Sequence, residues 1–347
     1  MKSFQIIALV LSLAGCSGAD GAPGAAGKDG AAGTPGAAGT TGATGPAGAS
    51  GEAGAAAPVS DVVLPGGFFF PESITSDPSG RLFVSSAGTG SINVIAADGR
   101  AVTELVAAEP VSATVAIAKL GLLVDAAYGD LYACTVNTQT FASTLRRYDL
   151  ATGAKKDSFD LAKAGGVCND LALDAKGNLY VTDSFFGIER LAAGSSKLEV
   201  WKEDALFTAG PGQFAVDGIV VDGEDIYVNN LTSGALVRVP IHPDGAAGTP
   251  VSIALAAPLS GPDGMRLAGA HTLLVAESGA DAVGQVKIDP ATNTAVRTTF
   301  ANRIDRPSSV AIAGDGVFIT EGQIGRLFGL EKTAVDYPFY VRRIPLH

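Results

Sequence analysis

Apolar and polar residues alternate in short runs through most of residues 58–347, and Gly-, Asp- and Pro-bearing turns separate the runs. A period of two bounded by turn formers predicts β-strands. The segment LALDAKGNLYVTDS (171–184) shows the unit: an apolar strand, a tight Asp/Gly turn and a second strand. Further hairpins read at 92–106, 145–161, 188–201, 236–255 and 283–300, punctuated by Ala-Asp-Gly, Ala-Thr-Gly or Asp-Pro turns. No helical period of any length competes with this pattern.

A short phrase recurs ahead of these strand pairs. Its copies are Pro71-Glu72-Ser73-Ile74, Cys168-Asn169-Asp170-Leu171, Val216-Asp217-Gly218-Ile219, Pro262-Asp263-Gly264-Met265 and Pro307-Ser308-Ser309-Val310, with a degraded copy near Ala113-Thr114-Val115. The starts fall 41, 56, 48, 46 and 45 residues apart. Self-similarity at this period, with two strand pairs per unit, predicts an all-β fold, a six-bladed β-propeller over residues 58–347. VFITEG (317–322), LFGL (327–330) and FYVRRIPL (339–346) are expected in the last blade. Val62 to Leu64 can close the ring, in a blade that the pattern does not identify.

The segment upstream has a different character. Lys2, the apolar Ile6 to Leu13 and then Leu13-Ala14-Gly15-Cys16 resemble a bacterial lipoprotein signal,. Residues 1–15 are expected to be removed and Cys16 acylated, giving a lipid anchor in the cell envelope, at the outer membrane or cell surface of a bacterium. An ordinary secretory signal with a chance cysteine is the alternative. From Gly18 to Gly54 glycine holds every third position, over 13 triplets. That period is the collagen signature, because only glycine fits at the axis of the triple helix. Residues 16–57 therefore read as the lipidated cysteine and a stalk, either a homotrimeric triple helix of roughly 110–120 Å or, given few prolines, a flexible spacer. No later stretch approaches the 18 apolar residues of a membrane span,.

The formal charge of −11 comes with no Lys/Arg cluster, which argues against nucleic acid as a partner,. Arg342-Arg343 and Lys155-Lys156 are isolated pairs. Of three cysteines, Cys134 and Cys168 remain once Cys16 is lipidated. An exported domain favours a disulfide between them, with two buried free thiols as the alternative. The three histidines, His242, His271 and His347, form no obvious Ser/His/Asp arrangement.

The recurring phrase sets Glu72, Ala113, Asn169, Asp217, Asp263 and Ser308 at one position of successive blades. In a propeller that position lies just before the strand lining the central channel. Converging carboxylates repel unless a proton or cation compensates them. Oxygen donors without His or Cys suit a hard ion, so Glu72, Asn169, Asp217 and Asp263 are expected to bind one divalent cation, Ca²⁺ before Mg²⁺. The alternative is that each acid merely begins a strand and faces water. Asp77, Asp174 and Asp222 read as turn formers.

PESITSDPSGRLFVSS, CNDLALDAKGNLYVTDS, VDGIVVDGEDIYVNN and PDGMRLAGAHTLLVAES resemble the senescence marker protein/gluconolactonase/luciferin-regenerating-enzyme-like propellers over most of 68–330. The resemblance implies a channel metal and hydrolysis of a sugar lactone or related ester. It also implies a ligand role for Glu72, a substrate-binding role for Asn169, and ligand and base roles for Asp263. Two departures stand out: Asp217 replaces an asparagine of the family, and Val167 replaces its substrate-binding arginine. A metal-dependent hydrolase and a non-catalytic surface binding module are the two readings carried forward.

Overall fold

The computed structural model describes residues 61–112 and 115–346. The expected signal segment, Cys16 and the Gly-X-Y repeat lie outside the described residues, as do Ala113 and His347. Six small antiparallel sheets surround one axis. Their innermost strands are Pro71–Ser76, Val115–Asp125, Cys168–Leu173, Val216–Asp222, Pro262–Gly269 and Pro307–Ala313. Proline opens three of these strands, a position where its missing N–H breaks no ladder bond. Among the described residues no helix is long and apolar enough to cross a membrane.

Alternation along each strand sends successive side chains to opposite faces, so every blade buries both of its faces against neighbours. The core is accordingly six wedges between adjacent blades. Leu82 and Val84 pack toward blade six, whereas Phe83 between them packs toward blade two. Cys134 and Cys168 lie in the wedge between blades two and three and form a disulfide, with Cα atoms 5.2 Å apart.

The ring closes in blade six. Asp61–Val63 is the outermost strand there, paired with Tyr340–Pro345 in the register Val62↔Val341. Arg342 Nη1 donates to Asp61 Oδ2 at 2.9 Å across this seam. LFGL is not a strand as expected. Ile324–Leu327 forms one helical turn and Gly329 takes φ +68°, so residues 322–339 make an insertion ahead of the strand that follows. Asp77 and Asp174 hold their turns by accepting backbone N–H bonds, as expected. Asp222 instead reaches the next blade and accepts from His271 N at 2.8 Å.

Blade two corrects the repeat. Lys119 pairs with Thr135 and Leu122 with Ala133, the same register that pairs Pro71 with Ser86 and Ile74 with Val84. The copy is therefore Lys119-Leu120-Gly121-Leu122, and Leu120 takes the position assigned to Ala113. The ring residues then fall 48, 49, 48, 46 and 45 apart, an even spacing. The longer inner strand Val115–Asp125, which also pairs with Pro110–Ser112, carries the chain past the expected start.

Candidate functional site

In all six blades the strand register slips at the ring residue. Two residues there face one on the partner strand, which makes a β-bulge that re-aims a side chain. Polar side chains on the second strands fix three of these bulges from the neighbouring blade. Ser85 Oγ donates to Leu120 O at 2.7 Å, Thr182 Oγ1 to Asp217 O at 2.7 Å, and Asn229 Nδ2 to Asp263 O at 2.6 Å. The glycine after the acid has a packing reason as well. A Cβ on Gly218 would lie 2.4 Å from Asp263 O, and one on Gly264 would lie 2.7 Å from Ser309 Oγ. Bare backbone lets adjacent blades close tightly on the axis.

The structure brings Glu72, Asn169, Asp217 and Asp263 together at the floor of a cavity of about 410 Å³. Glu72, Asn169 and Asp217 are buried, and Asp263 is partly exposed. Asn169 Nδ2 donates to Asp217 Oδ2 at 2.8 Å and to Ser184 Oγ at 3.0 Å. With those hydrogens engaged, what Asn169 offers a ligand is its carbonyl oxygen. Ser308 is turned aside: its hydroxyl donates to Pro71 O at 2.9 Å and lies 2.8 Å from Thr320 Oγ1.

Crowded charge is handled by protons. Burial, then the charges of Asp217 and Asp170, hold the Glu72 carboxyl well above the usual range. Burial, then Asp217 and Glu72, do the same to Asp263. Asp217 is pushed up to about 7 by burial and then by Asp170, against hydrogen bonds with Asp263 and Asn169. Asp217 and Asp263 face each other closely enough to share a hydrogen bond. Glu72 Oε2 is buried without any hydrogen-bond partner. Among the described residues, no three or more His, Cys, Asp or Glu side chains already stand grouped as a metal cage would require.

One residue at the centre was not anticipated. Arg266, three positions after Asp263, crosses the axis beneath the ring. Its Nη1 donates to Asp170 Oδ2 at 3.3 Å, and its Nη2 donates to Ile74 O at 3.2 Å and Leu122 O at 3.3 Å. A single guanidinium thus ties blade five to blades three, one and two. Arg fits because its planar fork presents several fixed donors at once. The narrow space bounded by Glu72, Gly121, Asp170, Gly264 and Ser309 has no room for a water molecule. Arg266 itself borders the cavity at the opposite mouth. No local signal marks this role, since in sequence Arg266 is one more polar residue in an alternating strand.

A collagen triple helix repeat matches residues 13–61, over the Gly-X-Y segment. No curated protein sequence matches the chain. Among solved structures, the chain is similar to the major Malassezia sympodialis allergen Mala s 1, at 15% identity and a TM-score of 0.62, over 83% of this chain and 96% of that one. It is similar to luciferin-regenerating enzyme at 12% identity and a TM-score of 0.57, over 83% of this chain and 95% of that one. The PQQ-bound aldose sugar dehydrogenase of Streptomyces coelicolor matches at 16% identity and a TM-score of 0.56, over 83% and 99%. Likeness at such identities is likeness of fold: the described chain is a six-bladed β-propeller of the architecture these proteins share.

Proposed function

We propose that the propeller binds one divalent cation, calcium first, through Glu72, Asn169, Asp217 and Asp263, and that it hydrolyses a lactone or ester held in the cavity above them. One observation carries this reading: three carboxyl groups and an amide from four blades line one cavity floor, where Glu72 Oε2 has no partner. A buried acceptor without a donor costs about 1–3 kcal/mol, more when charged. A cation would compensate the same carboxylates that protons otherwise compensate. Hard oxygen donors fit Ca²⁺ or Mg²⁺ rather than zinc.

A bound ion supplies Lewis-acid polarisation of the carbonyl and a lowered pKa for water. Asp263, the most exposed of the four floor residues, would accept the proton of the attacking water,. Glu72 and Asp217 provide compensating charge, and Asn169 directs its carbonyl oxygen to the same centre. Hydrolysis then gives an acid and an alcohol, or one hydroxy acid from a lactone. The lipid anchor at Cys16, the envelope location and the stalk function of residues 16–57 belong to the same proposal.

Metal content of the purified protein, calcium titration and a lactone/ester panel test it. We expect one ion per chain, a lower melting temperature in chelator, and loss of both in Glu72→Gln. A metal-free protein whose melting ignores calcium and chelator alike would overturn the site. Metal without turnover would favour the second reading, a surface binding module, which Val167 in place of the family's arginine supports.

A further inference from the structure

We infer that the cavity above the ring takes a neutral ligand with an apolar tail, either an aliphatic acyl chain or an aromatic group, rather than a polyhydroxylated sugar lactone. The reacting group rests on the proposed hydrolase; the tail rests on the walls alone. Phe141 from blade two, Phe214 and Leu231 from blade four and its approach, and Ile324, Phe328 and Leu330 from the blade-six insertion form those walls. Closer to the floor, Leu120 and Val167 continue the apolar surface down to the ring. Leu120 occupies the one ring position with no oxygen or nitrogen in its side chain, so apolar surface reaches the level of the acids.

Above the floor the polar lining residues are Thr138, Ser278, Arg306 and Glu331, and Arg306 and Glu331 are engaged with each other. Arg306 is the one cation among the described lining residues. Its Nε donates to Glu331 Oε2 at 3.0 Å and its Nη1 to Ser278 O at 2.8 Å. That neutralises the charge a carboxylate or phosphate ligand would need from the walls. A sugar lactone brings a hydroxyl on nearly every carbon, and each one buried without a partner weakens binding.

The rim adds a third argument. Phe141, Phe328 and Leu330 line the cavity yet remain 40%, 46% and 78% exposed. Apolar surface of this kind gains when a ligand tail covers it. The volume, about 410 Å³, falls in the range of small-molecule sites.

The test uses p-nitrophenyl esters from acetate to decanoate, γ-lactones of matching length and gluconolactone, on the calcium-loaded protein. Binding is read separately by displacement of the neutral apolar dye N-phenyl-1-naphthylamine. Each methylene that enters the walls should raise kcat/KM, or dye displacement, about two- to fourfold. Phe328→Ser and Phe141→Ser, both at exposed positions, should flatten this dependence without lowering the melting temperature. Displacement that grows with chain length in the absence of any turnover would uphold the tail site while removing the hydrolase reading. Turnover that is flat with chain length, or greatest on gluconolactone, would uphold hydrolysis and overturn the inference. Dye that neither binds nor is displaced, with no turnover, would overturn both.

Discussion

The substitution Asp217→Asn in metal-free protein probes the floor most directly. Asp217 accepts from Asn169 Nδ2 and bonds Asp263. An asparagine keeps the shape and can satisfy both neighbours, yet it never ionises. In the folded metal-free protein Asp217 holds its proton up to about pH 7, against 3.8 for an ordinary aspartate. Between those values the folded chain carries a proton that the unfolded chain has released, so stability falls as pH rises and levels off above the folded value. From pH 5 to pH 8 the loss attributable to this group is roughly 2–3 kcal/mol. Glu189, also pushed up to about 7 by burial, titrates in the same window. The quantity to measure is therefore the difference between wild type and Asp217→Asn, from urea unfolding in chelator at half-unit pH steps. The wild type should lose stability relative to the variant by that amount across the window. Calcium at about 100 times its dissociation constant should restore about 2.7 kcal/mol to the wild type at pH 8, and less at pH 5, where protons compete. Parallel profiles for the two proteins in chelator would refute the account of the floor as crowded, proton-sharing acids.

Arg266→Met should cost about 3–5 kcal/mol, because it leaves the buried Asp170 facing no cation; adding Asp170→Asn should recover part of that loss, and an unfolding midpoint within experimental error of wild type would contradict the axial tie. Replacing Cys134 and Cys168 together with alanine should lower stability by about 2–4 kcal/mol; never-reduced protein should show no free thiol at either position by peptide mass. If the Gly-X-Y segment trimerises, the full soluble chain should sediment as a trimer in the cold and as a monomer once residues 18–54 are deleted. A monomer at every temperature would leave only the spacer.

Much of this architecture was legible because each hairpin is a local event. Alternation, Asp-x-x-Gly turns and a repeated pre-strand acid all act within a few residues, so 92–106 and 283–300 could be placed with no knowledge of their neighbours. Blade two escaped for a local reason too. Lys119-Leu120-Gly121 lacks the oxygen that flags the other copies, and its inner strand runs 11 residues rather than six. LFGL misled because four residues cannot separate a strand from one helical turn. The convergence of Glu72, Asn169, Asp217 and Asp263 followed from register once the blades were counted. The bulges that aim them, and the donors Ser85, Thr182 and Asn229 that fix their carbonyls, depend on contacts 34 or more residues apart. Arg266 is the extreme case, since its partners at Ile74 and Leu122 lie 192 and 144 residues away.

The channel narrows beneath the acids and Arg266 crosses the axis further down, so the cavity is a cul-de-sac. Anything that reaches the acids from the cavity must retreat by the way it came, for the neck below has no room even for water. An ion seated at the floor would be covered by whatever occupies the walls above it, so ion exchange should stall while a ligand is resident and resume when it departs. Cleavage into two fragments would impose an order of exit, with the fragment lodged deeper waiting for the one nearer the rim. Each departing fragment would also contend with the next arrival for a single doorway.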